Sequence, residues 1–435
     1  MTKFKLISDY SDYDLIIWGA RMTGLGAVRF LRHHGKNAVC FIDSDPAFEN
    51  KTVSGLPVYN PSEVKQKIKI NDWNPLIIIA VALKEVEIIS ALRKNGMDRY
   101  ETFSFQSDDA PYFTVDLLGS CNLACGSCPH SILNHGVPKG SMTFETVKKV
   151  IDKIKKDSPD TTHISCYSWG EPLLHPKVSE IVNYVHQNGM AVALSSNLSL
   201  NFEQRIEKLV KAEPEYLKVS VSGYYPDAYN ATHQGGDINL VKSNLYRIRH
   251  YMDKYKSNIL VDINYHLYRD NNGKNLEMFK ILAEELGFLL STTFALVMPL
   301  ERVINYLDGK PDIQTRLLQK NLLVDIDEAI GVSSEGIEKS TSCPFRENQI
   351  NVNADLTVPV CCTVFERGKN VVSQNFLSST LQEIENNKKN VKLCEKCMNN
   401  RLPEYNMGFN QEKWASVADT KSSSETLHLI KQSKE

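Results

Sequence analysis

The chain has no excess of either charge: 50 Lys and Arg stand against 52 Asp and Glu, a formal net charge of −2 at pH 7. No basic field therefore points to nucleic acid or to an anionic membrane surface, and neither partner is expected. Long apolar runs are also missing. The longest, Leu76 to Leu83, has eight residues, where a membrane span needs about 20. The opening stretch, MTKFKLISDYSDYDL, holds no apolar core. A secretory leader is therefore not expected, and a cytoplasmic location is. There are no internal repeats and no low-complexity blocks before the polar end. At 42% hydrophobic and 23% charged residues, disorder over most of the length is excluded. What the chain does have is cysteine, ten in 435 residues. Outside a secretory setting these point to metal binding or chemistry rather than to disulfides.

The length allows about three domains, and the pattern divides accordingly. Apolar runs at Asp14–Trp18, Asn37–Ile42 and Pro75–Val81 read as buried strands. Between them lie helical stretches, one with Leu25, Val28 and Leu31 on a face, another with Val86, Ile89 and Leu92. Strands alternating with helices of this length make βαβ units and a parallel sheet. The polar, proline-ended stretch 101–111 reads as a linker. A second series follows, with strands at Tyr112–Leu118, His163–Tyr167, Ala191–Ser195, Tyr216–Ser222 and Ile259–Asn264, and a further candidate at Phe294–Met298. Its first helix starts at Thr143, a good N-cap. From about Cys343 the helical period fades. After about residue 410 a helix docked loosely at best and a partly disordered end are expected.

Cys121, Cys125 and Cys128 form a C-x3-C-x2-C run directly after the first strand of the second series. Three thiolates on one loop suit zinc, copper(I) or an iron–sulfur cluster. A zinc reading needs a fourth ligand, for which His130 or His135 is available. This loop resembles that of the radical S-adenosylmethionine (SAM) superfamily. Trp169-Gly170-Glu171-Pro172 is similar to that family's glycine-glycine-glutamate motif, with Trp169 in place of its first glycine. The resemblance implies a [4Fe–4S] cluster on the three cysteines with one iron open to SAM. It gives Gly170 and Glu171 to the amino group of SAM, and Ser195, Asn197, Ser220 and Ser222 to its carboxylate and ribose. The family commonly has an aromatic residue before the third cysteine to pack on adenine; here Ser127 stands there. The implied chemistry is reductive cleavage of SAM to a 5′-deoxyadenosyl radical, which abstracts a hydrogen atom, with flavodoxin or ferredoxin as reductant.

Cys343, Cys361, Cys394 and Cys397 follow as C-x17-C and a distant C-x2-C. With the segment Asp355 to Cys362, where Leu356 replaces a usual glycine, they resemble the twitch domain, a shortened SPASM domain. That resemblance implies a second, fully ligated [4Fe–4S] cluster and selects Cys361 over Cys362. A zinc ribbon with four cysteines is the alternative. Cys40, Cys166 and Cys362 are left over. Cys40 reads as core. Cys166 ends a strand of the second series, and if its thiol faces the cavity it is a candidate hydrogen donor to a substrate radical.

In the first series, Gly19, Arg21 and Gly24 keep the outer glycines of G-x-G-x-x-G, with Arg21 in place of the middle one. Asp43, 19 residues after Gly24, matches the ribose-binding acid of that motif. Arg21 is a candidate holder of a nucleotide phosphate; a docking domain with no ligand is the alternative. The segment Phe41 to Pro46 resembles Rossmann-like domains of surface-glycan enzymes.

The expected architecture is α/β throughout. It comprises a Rossmann-like domain over 1–108, a partial (β/α)6 radical SAM barrel over 109–335, a twitch-like auxiliary-cluster domain over 336–410 and a tail over 411–435. The expected activity is oxidation of a small sugar, nucleotide-sugar or cyclitol-like molecule, with the auxiliary cluster accepting an electron. Tyr167, His233, Asn264 and His266 are candidate pocket residues. Rival readings are modification of a peptide side chain, epimerisation through Cys166, and a zinc-stapled binding protein.

Overall fold

The computed structural model describes residues 3, 5–81, 85–105, 111–132, 140–201, 203–337, 339, 342–366 and 368–421. His135, most of the expected linker and the end of the tail lie outside them. Two sheets organise the chain. The first has six strands in the order β3-β4-β2-β1-β5-β6: β1 (Asp14–Trp18), β2 (Ala38–Ile42), β3 (Thr52–Val53), β4 (Leu56–Tyr59), β5 (Pro75–Ile79) and β6 (Glu101–Ser104). All pairings are parallel except the β3–β4 hairpin. Strand β6 corrects the linker reading. Its polar residues occupy an edge position, and only Phe103 reaches the core.

The second sheet has seven strands, ordered β12-β11-β10-β9-β8-β7-β13: β7 (Tyr112–Val115), β8 (His163–Ser165), β9 (Ala191–Ser196), β10 (Tyr216–Val221), β11 (Leu260–Leu267), β12 (Leu289–Phe294) and β13 (Gln349–Val352). All its pairings are parallel. Strands β7 to β12 sit in chain order, as successive βα units with right-handed crossovers require. The candidate strand Phe294–Met298 is one strand-length late, because β12 ends at Phe294. Strand β13 was not expected. Its four residues from the C-terminal segment extend the sheet beside β7. A short hairpin of β14 (Val358–Pro359) and β15 (Val371–Ser373) follows it.

The alternation of side chains along the strands sorts the second sheet into two faces. Ile164, Val192, Val219 and Ile263 pack with the surrounding helices in the largest apolar cluster. Ala193, Tyr216 and Leu289, on the opposite face, pack with Leu25, Val28 and Leu31 of helix Met22–His33. That helix therefore buries its apolar stripe between both sheets. Helix Phe144–Asp157 is capped by Thr143, whose hydroxyl accepts the N–H of Thr146 at 3.1 Å. In helix Glu85–Lys94, Leu92 is buried but Ile89 is exposed, so Ile89 does not share the expected inner face.

The end of the described chain is not loosely docked. Helix Gln411–Lys421 buries Trp414, which stacks on Phe294 and Tyr405 and donates its indole N–H to Ser333 Oγ at 3.0 Å. Among the described residues no helix is long and apolar enough to cross a membrane.

Candidate metal and cofactor site

The cysteine loop leaves the tip of β7 and is pinned by backbone hydrogen bonds from both sides. Gly119 N–H donates to Gly140 O at 2.9 Å, and Ala124 N–H to Gln234 O at 2.9 Å. Within the loop, Leu123 N–H points at Cys121 Sγ (3.4 Å) and Cys128 N–H donates to Cys125 O (2.9 Å). Cys121, Cys125 and Cys128 are all half-buried. Burial pushes the Cys125 and Cys128 thiols up to about 12, and each neighbouring thiol raises them further. Cys121 is raised by the same cause.

Gly170 and Glu171 meet this loop at the tip of β8. Gly170 lies so close to β7 that a Cβ there would sit 1.8 Å from Leu118 O, so only glycine fits. Glu171 N–H donates to Ser120 O at 2.9 Å. Its carboxylate accepts Leu173 N–H at 3.0 Å and Asn197 N–H at 2.8 Å. Burial pushes its pKa up to about 7, against the pull of those backbone donors. The Asn197 amide in turn reaches Cys121 Sγ at 3.6 Å and Asn122 Oδ1 at 3.0 Å. Glu171 thus ties the tips of β8 and β9 together and sets Asn197 beside the first cysteine.

The polar residues nearby divide. Ser195 and Ser220 are half-buried on the face away from the helices. Ser222, expected toward SAM, is fully buried, and its hydroxyl is engaged by His233 Nδ1 at 2.6 Å and by Thr232. His233 stacks on Tyr229 and on His266, and burial lowers His233 to about 4 and His266 to about 3, so both rings are neutral. Asn264 Oδ1 accepts from His266 Nε2 at 2.9 Å, and the Asn264 amide donates to Thr293 Oγ1 at 3.0 Å. Cys166 is 2% exposed and packs in the helix-side cluster with Ile164 and Leu194. Alternation directs it away from the face that carries Ser165 and Tyr167.

Three residues near the loop were not singled out in the sequence. Asp116, at the end of β7, is buried, receives Gly170 N–H at 3.4 Å and is pushed up to about 7 by burial. A charge inside the apolar run Tyr112–Leu118 was the available signal. Arg302 donates to Gly126 O at 3.3 Å and Met298 O at 3.0 Å, close enough to Cys128 to lower its pKa. Tyr268 lies beside Ser127. No local pattern marks the last two, because both arrive from distant elements.

The second cysteine group is built differently. Cys394 and Cys397 share one side of helix Lys392–Asn399, and Cys343 caps the short helix Pro344–Glu347. Cys361 follows the turn at Leu356, whose φ of +70° occupies the left-handed region. After burial, Cys343, Cys361 and Cys394 each contribute to raising Cys397. Cys362 feels Cys361 and Cys343 but lies toward Gln349 and Tyr112. Phe365, just beyond, packs edge-on against both Trp169 and His130 at 5.5 and 5.6 Å, so this segment covers the first cysteine loop. Among the described residues no group of three or more His, Cys, Asp or Glu side chains stands ready to hold a single metal ion. The donor chemistry, soft thiols alone in both groups, fits iron–sulfur ligation.

The N-terminal motif residues are redeployed. Gly19 has φ +109° and would bring a Cβ to 2.7 Å from Ala80 O. Gly24 is buried in the first turn of helix Met22–His33. Asp43 accepts Ala20 N–H and Asp45 N–H, both at 3.0 Å, and burial raises its pKa. Arg21, the expected phosphate holder, is engaged by two carboxylates. Its guanidinium pairs with Asp45 at 2.5 Å and with Asp262 of β11 at 3.0 Å, and lies over the Phe48 ring. Burial opposes its charge, yet Asp262 and Asp45 hold its pKa well above the ordinary value. Arg21 clamps the two sheets together.

Residues 116–266 match the family model described as Radical SAM superfamily. A radical SAM domain is thus present in the chain, and that family implies a [4Fe–4S] cluster and SAM. Over 108 residues the chain is 34% identical to the AdoMet-dependent heme synthase of Methanosarcina barkeri, covering 25% of this chain and 30% of that one. The chain thus spans under a third of the length of that relative. One solved structure similar to it is a histidine-tagged anSMEcpe with bound AdoMet (16% identity, TM-score 0.44, 74% of this chain and 99% of that one). Another is BtrN in complex with AdoMet and 2-DOIA (15% identity, TM-score 0.36, 66% and 85%).

Proposed function

We propose that this protein is a radical SAM enzyme that oxidises a small polyhydroxylated molecule, a sugar, nucleotide-sugar or cyclitol. The observation that carries the reading is the junction at the tips of β7, β8 and β9. There the Glu171 carboxylate holds Asn197 N–H and the Asn197 amide reaches Cys121 Sγ. Cys121, Cys125 and Cys128 would hold a [4Fe–4S] cluster with one iron left for SAM. The cluster and SAM, when bound, would supply a 5′-deoxyadenosyl radical for hydrogen-atom abstraction from the substrate.

The chain's own part is positioning and exclusion of water. Ser195 and Ser220 are the polar groups for the SAM carboxylate and ribose, and Tyr268 beside Ser127 is the ring available to adenine. Phe365 on Trp169 and His130 shields the loop. Cys343, Cys361, Cys394 and Cys397 would hold a second cluster, which would supply an electron acceptor, and flavodoxin or ferredoxin would be the external reductant. Chain-ordered parallel strands β7 to β12 support the partial-barrel reading over 109–335. The order β4-β2-β1-β5-β6 supports a Rossmann-like domain over 1–108. The burial of Cys166 in the helix-side cluster leaves the epimerase reading without its donor.

Anaerobic reconstitution with iron and sulfide, followed by SAM and dithionite, tests the reading. About eight irons per chain and formation of 5′-deoxyadenosine are expected. Zinc in place of iron with no 5′-deoxyadenosine would overturn it.

A further inference from the structure

The end of the first sheet where a nucleotide would bind is not open to solvent on all sides. It faces the second sheet. A cavity of about 540 Å³ lies between them, a size that ordinary small-molecule sites share. On one side it is lined by Gly19, Asp43 and Val81, which follow β1, β2 and β5. In the order β2-β1-β5-β6 this is the switch point, where the connections after β1 and after β5 run in opposite directions and open α/β sheets bind ligands. On the other side it is lined by Tyr112, Tyr167 and Lys218 of the second sheet.

Helix Met22–His33 fixes how the two sides meet. Near its start, Met22 Sδ receives Ser165 Oγ at 2.9 Å. One turn on, a Cβ on Gly26 would lie 3.1 Å from the His163 side chain. Near its end, Arg29 pairs with Glu215, just ahead of β10, at 2.5 Å. The helix therefore runs antiparallel to the strands of the second sheet, and its N-terminus points toward their tips. Arg21, its N-cap, contributes no side-chain cap to the first turn, and first-turn N–H groups have no partner within a helix.

Lys218 stands on the same sheet face. Its ammonium lies 5.4 Å from the centre of the Tyr167 ring, and among the described residues no carboxylate pairs with it. In register it is opposite Ser195. Ser220 is two residues further along β10, about 7 Å nearer the tip. Lys218, Ser195 and Ser220 thus lie on one face of the sheet, with Ser220 on the side of the strand tips.

We propose that this cavity binds a nucleoside diphosphate moiety shared between the two sheets. Lys218 and the first turn of helix Met22–His33 hold its phosphates, Tyr112 and Tyr167 form its apolar walls, and Asp43 accepts a ribose hydroxyl. A sugar carried on that diphosphate is directed along this face of the second sheet toward the cysteine loop. Binding stands on the cavity alone; the direction of the sugar toward a reaction centre rests on the proposed function.

The test is equilibrium dialysis of the full chain against uridine diphosphate, adenosine diphosphate and inorganic pyrophosphate. At least one nucleotide binds about tenfold or more tightly than pyrophosphate. Lys218→Gln weakens it about tenfold, and Lys218→Arg, which keeps the charge, restores most of the affinity. The proposal is overturned if no nucleotide binds at millimolar concentration or if pyrophosphate binds equally well. It is also overturned if a folded Lys218→Gln, judged by circular dichroism, binds as the native chain does. Nucleotide binding that persists in a chain forming no 5′-deoxyadenosine would sink the radical SAM reading and leave this site standing.

Discussion

The two cysteine groups use the same sulfur chemistry on opposite kinds of scaffold. Cys121, Cys125 and Cys128 sit within eight residues on a strand-to-helix loop, half-buried, with Asn197 and Glu171 reaching in from neighbouring strand tips. Cys343, Cys361, Cys394 and Cys397 are gathered from a helix cap, a turn and one side of a helix spread over 55 residues. On a [4Fe–4S] cluster, the three thiols of the loop would leave one coordination position for a ligand, and the four thiols drawn from packed elements would leave none. The difference teaches that openness here is set by how many donors the scaffold commits, since both groups share the same element.

The sharpest way to break that comparison is to remove one thiol from each group. Cys125→Ala abolishes 5′-deoxyadenosine formation in reconstituted protein, to below about 1% of native. Cys394→Ala loses about half the iron yet still cleaves SAM. Equal loss of SAM cleavage in both variants would sink the assignment of distinct roles.

Backbone tolerance should separate them next. Gly170→Ala drives a Cβ into Leu118 O, and a loss of more than about 4 kcal/mol is expected in urea unfolding. Trp414→Ala, which undoes the anchor of the C-terminal helix beneath the second group, costs about 3–4 kcal/mol. If Trp414→Ala leaves stability unchanged, the helix is not part of the core.

Contact between the two sheets can be read through pH. His163, 2% exposed, stacks on Tyr112 and has its pKa lowered from 6.5 to about 3 by burial. The stability due to its neutral form is complete above about pH 6.5 and is lost as pH falls toward 3. The loss is at most about 1.4 kcal/mol per pH unit. The advantage of native chain over His163→Gln therefore shrinks on acidification below 6.5, and a constant gap would show that the ring is not held neutral. The smallest effect is expected at Leu356→Gly. Relief of the left-handed conformation, worth about 1 kcal/mol, is offset by lost side-chain packing, so the unfolding midpoint barely moves.

Much of the candidate site was legible because its residues are close in sequence. The spacing of Cys121, Cys125 and Cys128 and the segment Trp169–Pro172 need only a strand and a loop to be read. Strand Asp14–Trp18 was legible because it is buried on both faces and apolar from Leu15 on, and Tyr216–Val221 because buried Leu217, Val219 and Val221 recur at every second position. Strands β6 and β13 were not, since short edge strands carry mixed polarity and depend on a neighbour for their pairing. The placement of Ser222 and Cys166 was not legible for a different reason. A residue at a strand end has the same sequence signal whichever face it takes, and only packing shows Ser222 bonded to His233 and Cys166 in the helix-side cluster.

The sequence by itself determined the α/β class, the two thiol sets and the loop that carries the first of them, because these depend on local period and spacing. Only the tertiary structure decided that Arg21 pairs with Asp45 and Asp262. The same holds for Phe365 covering the first loop, and for Lys218 facing the switch point of the other sheet. Each of these joins residues many tens to hundreds of positions apart. Which charges are paired and which remain free is then a property of how the two sheets pack, which no local pattern encodes.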